Sequence, residues 1–219
     1  FVLGVGGLRL LHAAGIDTPV SHMNEGHSAF LVLERIRHLR AQQGLSFDEA
    51  LLAVKRGSVF TTHTPVPAGN DTFHSDLAHR FLRELAEEMG LDLSTILQLG
   101  RFSPHDTHEP FSMTVLALRG AAYANGVSKL HGEVSRKLWS GLWPGLSASE
   151  VPIHHVTNGA HVSTWVSSEL AELWDRQLSS AWRDSTTAWT ANSWQGLAAL
   201  PSAELWWVKN ERRRALIET

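Results

Sequence analysis

Hydrophobic and polar positions alternate along this chain in two rhythms, one of about three to four residues and one of two. Over residues 28–43 the apolar side chains Phe30, Leu33, Ile36 and Leu39 recur along one side of a predicted helix, with Gly44 as its stop. Ser46 and Glu49 have the spacing of a capping box and open a second, short helix that Gly57 closes. Ser58–Thr62 is a β-branched run predicted as a strand. Pro65 and Pro67 forbid its continuation and bias Thr64 and Val66 toward extended backbone. His63 falls at the strand's end, followed by the polar pair Asn70 and Asp71. A shorter strand over residues 18–23 likewise delivers Asn24, Glu25, Gly26 and His27 to a strand-to-helix junction. Loops after strand ends in an α/β scaffold form the usual ligand crevice, so both clusters are candidate sites; a surface hairpin with a solvated histidine is the plain alternative.

Elsewhere the helical rhythm dominates. Gly4, Gly6 and Gly7 precede a short pattern with Leu8 and Leu11, closed by Gly15. A Gly-x-Gly-Gly run without a third spaced glycine or a later acid reads as helix punctuation rather than a nucleotide turn. A helix capped at Ser75 or Asp76 runs through Met89 with Leu77, Phe81, Leu85 and Met89 on one face, and a short helix follows within residues 91–100. The loop at 101–111 contains His105, Asp106, His108 and Glu109, but Pro110 interrupts any His-Glu-x-x-His helix, so a solvated loop is the better reading than a metal site. Residues 112–124 read as a buried helix broken at Asn125-Gly126, and 127–139 as an amphipathic one with Val127, Leu130, Val134 and Leu138 on its apolar side. His131 lies beside that face, where the bare reading is a satisfied core residue. After a Trp143-Pro144-Gly145 linker, a strand at 153–157 leads to a second displayed segment from Asn158 to Trp165. The chain from Ser167 onward is helical and rich in tryptophan, with most of Trp174, Trp182, Trp189, Trp194, Trp206 and Trp207 read as packing residues rather than a sugar platform.

Composition narrows the class. At 219 residues with 43% hydrophobic and 19% charged residues, the composition fits a soluble globular protein rather than a disordered one, and the strand and helix patterns above put it in the α/β class. A net charge of −3 offers no general attraction to nucleic acid or to an anionic membrane. The absence of cysteine removes disulfides, thiolate nucleophiles and cysteine-based zinc sites, and is compatible with a cytoplasmic setting. No apolar run approaches the roughly 18 residues of a spanning helix, and no signal-peptide pattern is present. Phe1 stands directly inside an apolar stretch, as in a chain entered midway. The one composition shift suited to a boundary lies near 157–166, dividing residues 1–160 from 161–219.

Four segments, in this order, carry a resemblance: His22-Met23-Asn24-Glu25-Gly26-His27; Thr61-Thr62-His63-Thr64-Pro65; Asn125-Gly126-Val127-Ser128-Lys129-Leu130-His131-Gly132-Glu133; and Thr157-Asn158-Gly159 with His161 and Trp165. Together they resemble the α-glucan (glycogen or maltodextrin) phosphorylase family, nearest its shorter bacterial and archaeal branch, and the likeness runs from Gly4 to the helix holding Trp206 and Trp207. The resemblance implies part of a GT-B glycosyltransferase fold, with residues 1–160 as the later part of the first Rossmann-like lobe and 161–219 as the crossover and the start of the second. It implies transfer of a terminal α-1,4-linked glucosyl unit to inorganic phosphate, giving glucose 1-phosphate, with pyridoxal 5′-phosphate as cofactor and a homodimer as the full-length protein's possible assembly. The family's attachment lysine matches none of Lys55, Lys129, Lys137 and Lys209, so the segment alone is expected to be inactive.

Residue by residue, the resemblance assigns His63 to the glucosyl 6-hydroxyl through its side chain and to the anomeric region through its carbonyl. It assigns Asn158 to the same hydroxyl, Val127 and His131 to the sugar pocket, Glu25 and His27 to the acceptor side, Asp71 to a gating loop and Trp165 to a position near the cofactor. Ser163 and Ala160 depart from the proline and valine usual in this branch. Two other readings remain at this level. One is a non-catalytic glucan-binding remnant. The other is a hydrolase with metal ligands among His22, His27, His63 and His161, or with acid and base from Glu25 and Asp71, although the spacing of His22 and His27 does not stack them on one helix face.

Overall fold

The computed structural model describes residues 1–178, 180–184 and 191–218. Trp189, read above as a packing residue, lies outside them. The chain divides into two compact units, Phe1–Asn158 and Gly159–Thr219.

The first unit is built on a parallel sheet of four strands in the order β1 (Ser21–Asn24), β2 (Ser58–Thr62), then Tyr123–Gly126 and Ile153–His155. The latter two are β5 and β6, because a two-stranded antiparallel pair, β3 (Thr72–Phe73) and β4 (Phe111–Ser112), intervenes in the sequence. Parallel neighbours need crossover connections, and helices supply them. α1 (Gly7–Ala13) precedes the sheet, and α2 (Leu31–Gln43) and α3 (Phe47–Arg56) join β1 to β2. α4 (Ser75–Met89), α5 (Leu93–Leu99) and α6 (Met113–Gly120) lie between β2 and β5, and α7 (Lys129–Trp139) joins β5 to β6. The register aligns Met23, Phe60, Ala124 and Ile153 across all four strands. This row is buried, at 0%, 0%, 7% and 1% exposure, and belongs to one core with Val32, Leu33, Ile36, Val54 and Leu116 from the helices. The next row, Asn24, Thr61, Asn125 and His154, points to the other side, as the two-residue period of a strand requires.

Several predicted elements stand as read. β2 has the predicted bounds, Gly44 ends α2 in the left-handed conformation, and Ser46 and Glu49 make the reciprocal capping box. Others are corrected. The glycine-rich start is itself helical, one π-helical turn at Val2–Gly6 running into α1. Gly4 is there for close approach, since a Cβ would lie 2.7 Å from the Leu31 backbone nitrogen. β1 lies slightly later than predicted, at Ser21–Asn24.

The buried helix expected to run to residue 124 ends at Gly120, and Ala121 turns extended to enter β5. The small apolar run there suits a helix or a central strand equally, and pairing between β2 and β6 decides for the strand. In α4 the N-cap is His74, and the core face is Ala78, Leu82, Leu85, Ala86 and Met89. Leu77 and Phe81 are 43% and 50% exposed and line an apolar cleft of about 150 Å³ with Phe1, Phe30 and Phe73. In α7 the buried residues are His131, Gly132, Ser135 and Trp139, while Leu130 is 70% exposed.

Among the described residues of this unit two charged groups are buried, Glu34 and Arg101, and Glu34 is the one wholly enclosed. Glu34 on α2 is 0% exposed and accepts hydrogen bonds from Arg37 at 2.9 and 3.0 Å, with Arg9 at 3.1 Å. Burial alone would raise its pKa, but the hydrogen bonds from Arg37 and Arg9 outweigh it and hold the carboxyl below its usual range. A folded-state pKa below the unfolded value means that this contribution is present above the ordinary carboxylate pKa of 4.5 and is lost as pH falls through the lowered one. Glu34→Gln is therefore expected to cost about 1–3 kcal/mol at neutral pH and to flatten the acid side of the stability profile. Urea midpoints at neutral and acidic pH measure both. An unchanged acid-side slope would contradict the assignment.

The second unit contains α8 (Val162–Trp165), α9 (Ser168–Leu178) and α10 (Ser202–Glu218), with 3₁₀ segments between α9 and α10. Leu173, Leu200 and Val208 form its buried cluster, with Trp174 packed against them. Trp174 meets Trp182 and Trp194 edge to face, so these three are packing residues as read. Trp206 and Trp207 are not, being 57% and 60% exposed on α10.

Candidate functional site

Parallel strands share one carboxyl end, so whatever follows each strand is gathered along a single edge of the sheet. Glu25 follows β1 directly, His63 follows β2, Val127 follows β5, and Asn158 comes three residues after β6. The first three motifs and the start of the fourth, separated by tens of residues in sequence, thus meet at one rim. The pairing of Thr62 with Gly126 sets His63 and Val127 side by side, each one residue beyond a paired position.

The rim is tied together by its own polar groups. Glu25 Oε2 accepts from the His63 backbone N–H at 2.9 Å and from the Thr64 hydroxyl at 2.8 Å. Glu25 itself has φ of +63°, the one positive-φ non-glycine residue among those described. That conformation costs on the order of 1–3 kcal/mol in a residue with a long side chain. Opposite it, His27 Nδ1 lies 3.3 Å from Asp71 Oδ2, with both side chains more than half exposed. This contact joins the turn after β1 to the loop after β2.

That loop is anchored at its far end. Asn70 Nδ2 donates to the Val66 carbonyl at 2.9 Å, the Thr114 hydroxyl donates to Asn70 Oδ1 at 2.9 Å, and the Met113 N–H donates to the Asp71 carbonyl at 3.0 Å. The first turn of α6 thereby holds the end of the loop, and the imidazole of His63 at its start is exposed.

On the other side of the rim, His131 is 8% exposed, and its Nδ1 accepts from the Val127 N–H at 3.1 Å. A ring nitrogen that accepts carries no hydrogen, so Nε2 bears the proton and faces Ser135 Oγ at 3.5 Å. Gly126 makes this possible: a Cβ there would stand 2.8 Å from His131 Nδ1 and 2.9 Å from the Gly132 nitrogen. The Val127 carbonyl in turn accepts from the Asn158 N–H at 3.1 Å, which fixes the backbone of Asn158 while its side chain is exposed. His131 thus braces Val127, and Val127 holds Asn158.

What the sequence reading missed is the support. Thr64 and Thr114, given no role there, carry the loop together with Asn70, which was read only as part of the polar cluster. Beneath the rim, the Thr61 hydroxyl donates to Asn125 Oδ1 at 3.0 Å, so His22 Nε2, at 2.7 Å from Thr61 Oγ1, is the donor of that second bond. This ladder spans β1, β2 and β5. Its signal was present in the two-residue period of β2, which places Thr61 on the face opposite Phe60. Trp165, the last residue of α8 in the second unit, is 82% exposed. No three His, Asp or Glu side chains converge into a metal-holding group among the described residues. No helix among them is long and apolar enough to cross a membrane.

The family model described as carbohydrate phosphorylase matches residues 16–216. The maltodextrin phosphorylase of Thermococcus litoralis is 41% identical over 217 residues, covering 99% of this chain and 25% of that protein. The glycogen phosphorylase of Mycobacterium tuberculosis is 41% identical over 226 residues, covering 98% of this chain and 25% of that protein. That of Aquifex aeolicus is 36% identical over 217 residues, covering 99% of this chain and 30% of that protein. The chain thus spans between a quarter and a third of the length of these relatives, and it belongs to the carbohydrate phosphorylase family.

Proposed function

We propose that this chain is the segment of an α-1,4-glucan phosphorylase that holds the glucosyl unit being transferred, as the later part of the first lobe and the start of the second in a GT-B enzyme. The observation that carries the reading is the convergence of His63, Val127 and Asn158 on the carboxyl edge of one parallel sheet. In this reading the exposed imidazole of His63 and the exposed amide of Asn158 hydrogen-bond the sugar's 6-hydroxyl, with Val127 and the braced His131 forming the wall beside it. Glycosyl transfer builds positive charge at the anomeric carbon, and the His63 carbonyl, on a backbone held from Glu25, is a fixed dipole suited to that charge. A fixed dipole needs no reorganisation as the charge develops. Exposed His27 and Asp71 stand at the entrance, where an α-1,4-glucan acceptor would pass.

The phosphorylase family is generally dependent on pyridoxal 5′-phosphate, which supplies a phosphate group able to exchange protons with the substrate phosphate. The rim described above does not fit that group by itself. Its side chains are the carboxylates of Glu25 and Asp71, imidazoles and an amide, a donor set suited to hydroxyls rather than to a phosphate dianion. Lys55 lies at the opposite edge of the sheet, where its carbonyl accepts from the Ala122 N–H just before β5. The exposed indole of Trp165 is the one side chain assigned toward the cofactor, and no step through the cofactor is derived from this chain.

A complete protein containing this sequence should release glucose 1-phosphate from maltodextrin and inorganic phosphate, and should lose that activity when pyridoxal phosphate is removed and regain it on readdition. Release of free glucose without phosphate consumption, together with a stoichiometric metal, would replace this reading with the hydrolase. Maltodextrin binding without turnover would replace it with the binding remnant.

A further inference from the structure

We infer that Glu25 is a positioning residue that sets the His63 turn, and that its effect on glucan is exerted through His63 rather than by direct contact. The inference rests on the proposed role of His63. Both oxygens of the carboxylate argue against a direct ligand. Oε2 already accepts two hydrogen bonds, from the His63 N–H at 2.9 Å and the Thr64 hydroxyl at 2.8 Å. Oε1 is shielded from solvent and has no hydrogen-bond partner among the described residues. A carboxylate with one oxygen taken twice and the other enclosed presents nothing to an arriving hydroxyl.

The two bonds fall on either side of the His63 α-carbon, one on its own nitrogen and one on the next side chain. Together they restrict the peptide that carries the His63 carbonyl. Charge-assisted bonds of this kind are short and directional, which suits them to orienting a dipole. The backbone geometry supports the same conclusion. Glu25 adopts φ of +63°, which a glycine would adopt without strain, while its N–H donates to the Thr61 carbonyl at 2.8 Å. The left-handed turn sends the side chain back over the end of β2. Thr64 is held a second time by packing, because a Cβ on Gly69 would fall 2.6 Å from Thr64 Cγ2, so the loop closes directly on the methyl.

Two variants separate positioning from direct binding. Glu25→Gly removes the carboxylate and relieves the backbone, so folding is not at issue. Glu25→Gln keeps one oxygen able to accept both bonds. In the 219-residue chain, amide hydrogen exchange at His63 should accelerate at least about tenfold in E25G, as expected for loss of a hydrogen bond to a charged acceptor, and stay within about threefold of wild type in E25Q. In a complete protein containing this sequence, kcat/KM for maltodextrin should fall in E25G and recover in E25Q, and E25G should lower it by a smaller factor in H63A than in wild type, since alanine keeps the carbonyl that Glu25 holds but not the ring. Unchanged His63 exchange in E25G, an E25Q rate as low as that of E25G, or multiplicative losses in the double variant would each overturn the inference. Should the complete protein show no phosphorolysis, the proposed function fails while the exchange measurement still decides the role of Glu25.

Discussion

His63→Ala is expected to lower kcat/KM for maltodextrin phosphorolysis by about 10²-fold in a complete protein containing this sequence, the loss expected when a buried substrate hydroxyl loses its partner. The imidazole is exposed in the chain, so its removal should change the stability of the fold by less than about 0.5 kcal/mol. The backbone of residue 63 would still be held by Glu25, since that bond is to the N–H and not to the ring. The variant therefore isolates the side chain from the carbonyl. Asn158→Ala should act in the same direction, because the Asn158 N–H stays on the Val127 carbonyl while the amide is lost. Steady-state kinetics beside urea unfolding check both parts. A wild-type kcat/KM in either variant would remove that residue from the sugar site.

The largest expected effect on the fold is at Phe60. It is 0% exposed and occupies the centre of the row formed with Met23, Ala124 and Ile153. Phe60→Ala should cost about 3–5 kcal/mol, a large part of the 5–15 kcal/mol that holds a typical domain together. The same strand leads directly into His63, so loosening the row also loosens the rim. The neighbouring Thr61 faces the other side, and Thr61→Val should remove the ladder to His22 and Asn125 at much smaller cost. Denaturant midpoints for the two variants provide the comparison. A loss below about 1 kcal/mol in F60A would mean that the sheet's buried face has been assigned to the wrong side.

How much of this was legible in the sequence depends on the range of the interaction. β2, the Gly44 stop and the Ser46–Glu49 box are determined within a few residues, and the local pattern located them. β5 was hidden because three of residues 121–124 are alanine, which suits a helix as well as a strand, and only pairing to strands far away in sequence makes them extended. The helix faces of α4 and α7 follow the expectation only in part, with Leu85, Met89 and Leu138 on the core side, for a related reason. Ala78, His131, Gly132 and Ser135 carry little apolar weight, yet they are buried, whereas Leu130 is left outside. At the site, the resemblance named His63 and Asn158, but no periodicity shows that Glu25 adopts a left-handed backbone or that its carboxylate reaches residues 63 and 64. The tautomer of His131 is likewise set by a main-chain N–H brought in by the fold.

The account's central claim is that the carboxyl edge of the sheet recognises the 6-hydroxyl of the transferred glucosyl unit. In the synthetic direction this is tested by comparing glucose 1-phosphate with 6-deoxyglucose 1-phosphate as donors for wild type, H63A and N158A. Wild type should prefer the hydroxylated donor by about 10²-fold or more, and each variant should lose most of that preference while using the deoxy donor nearly as well as wild type does. The same preference in all three proteins would contradict the claim.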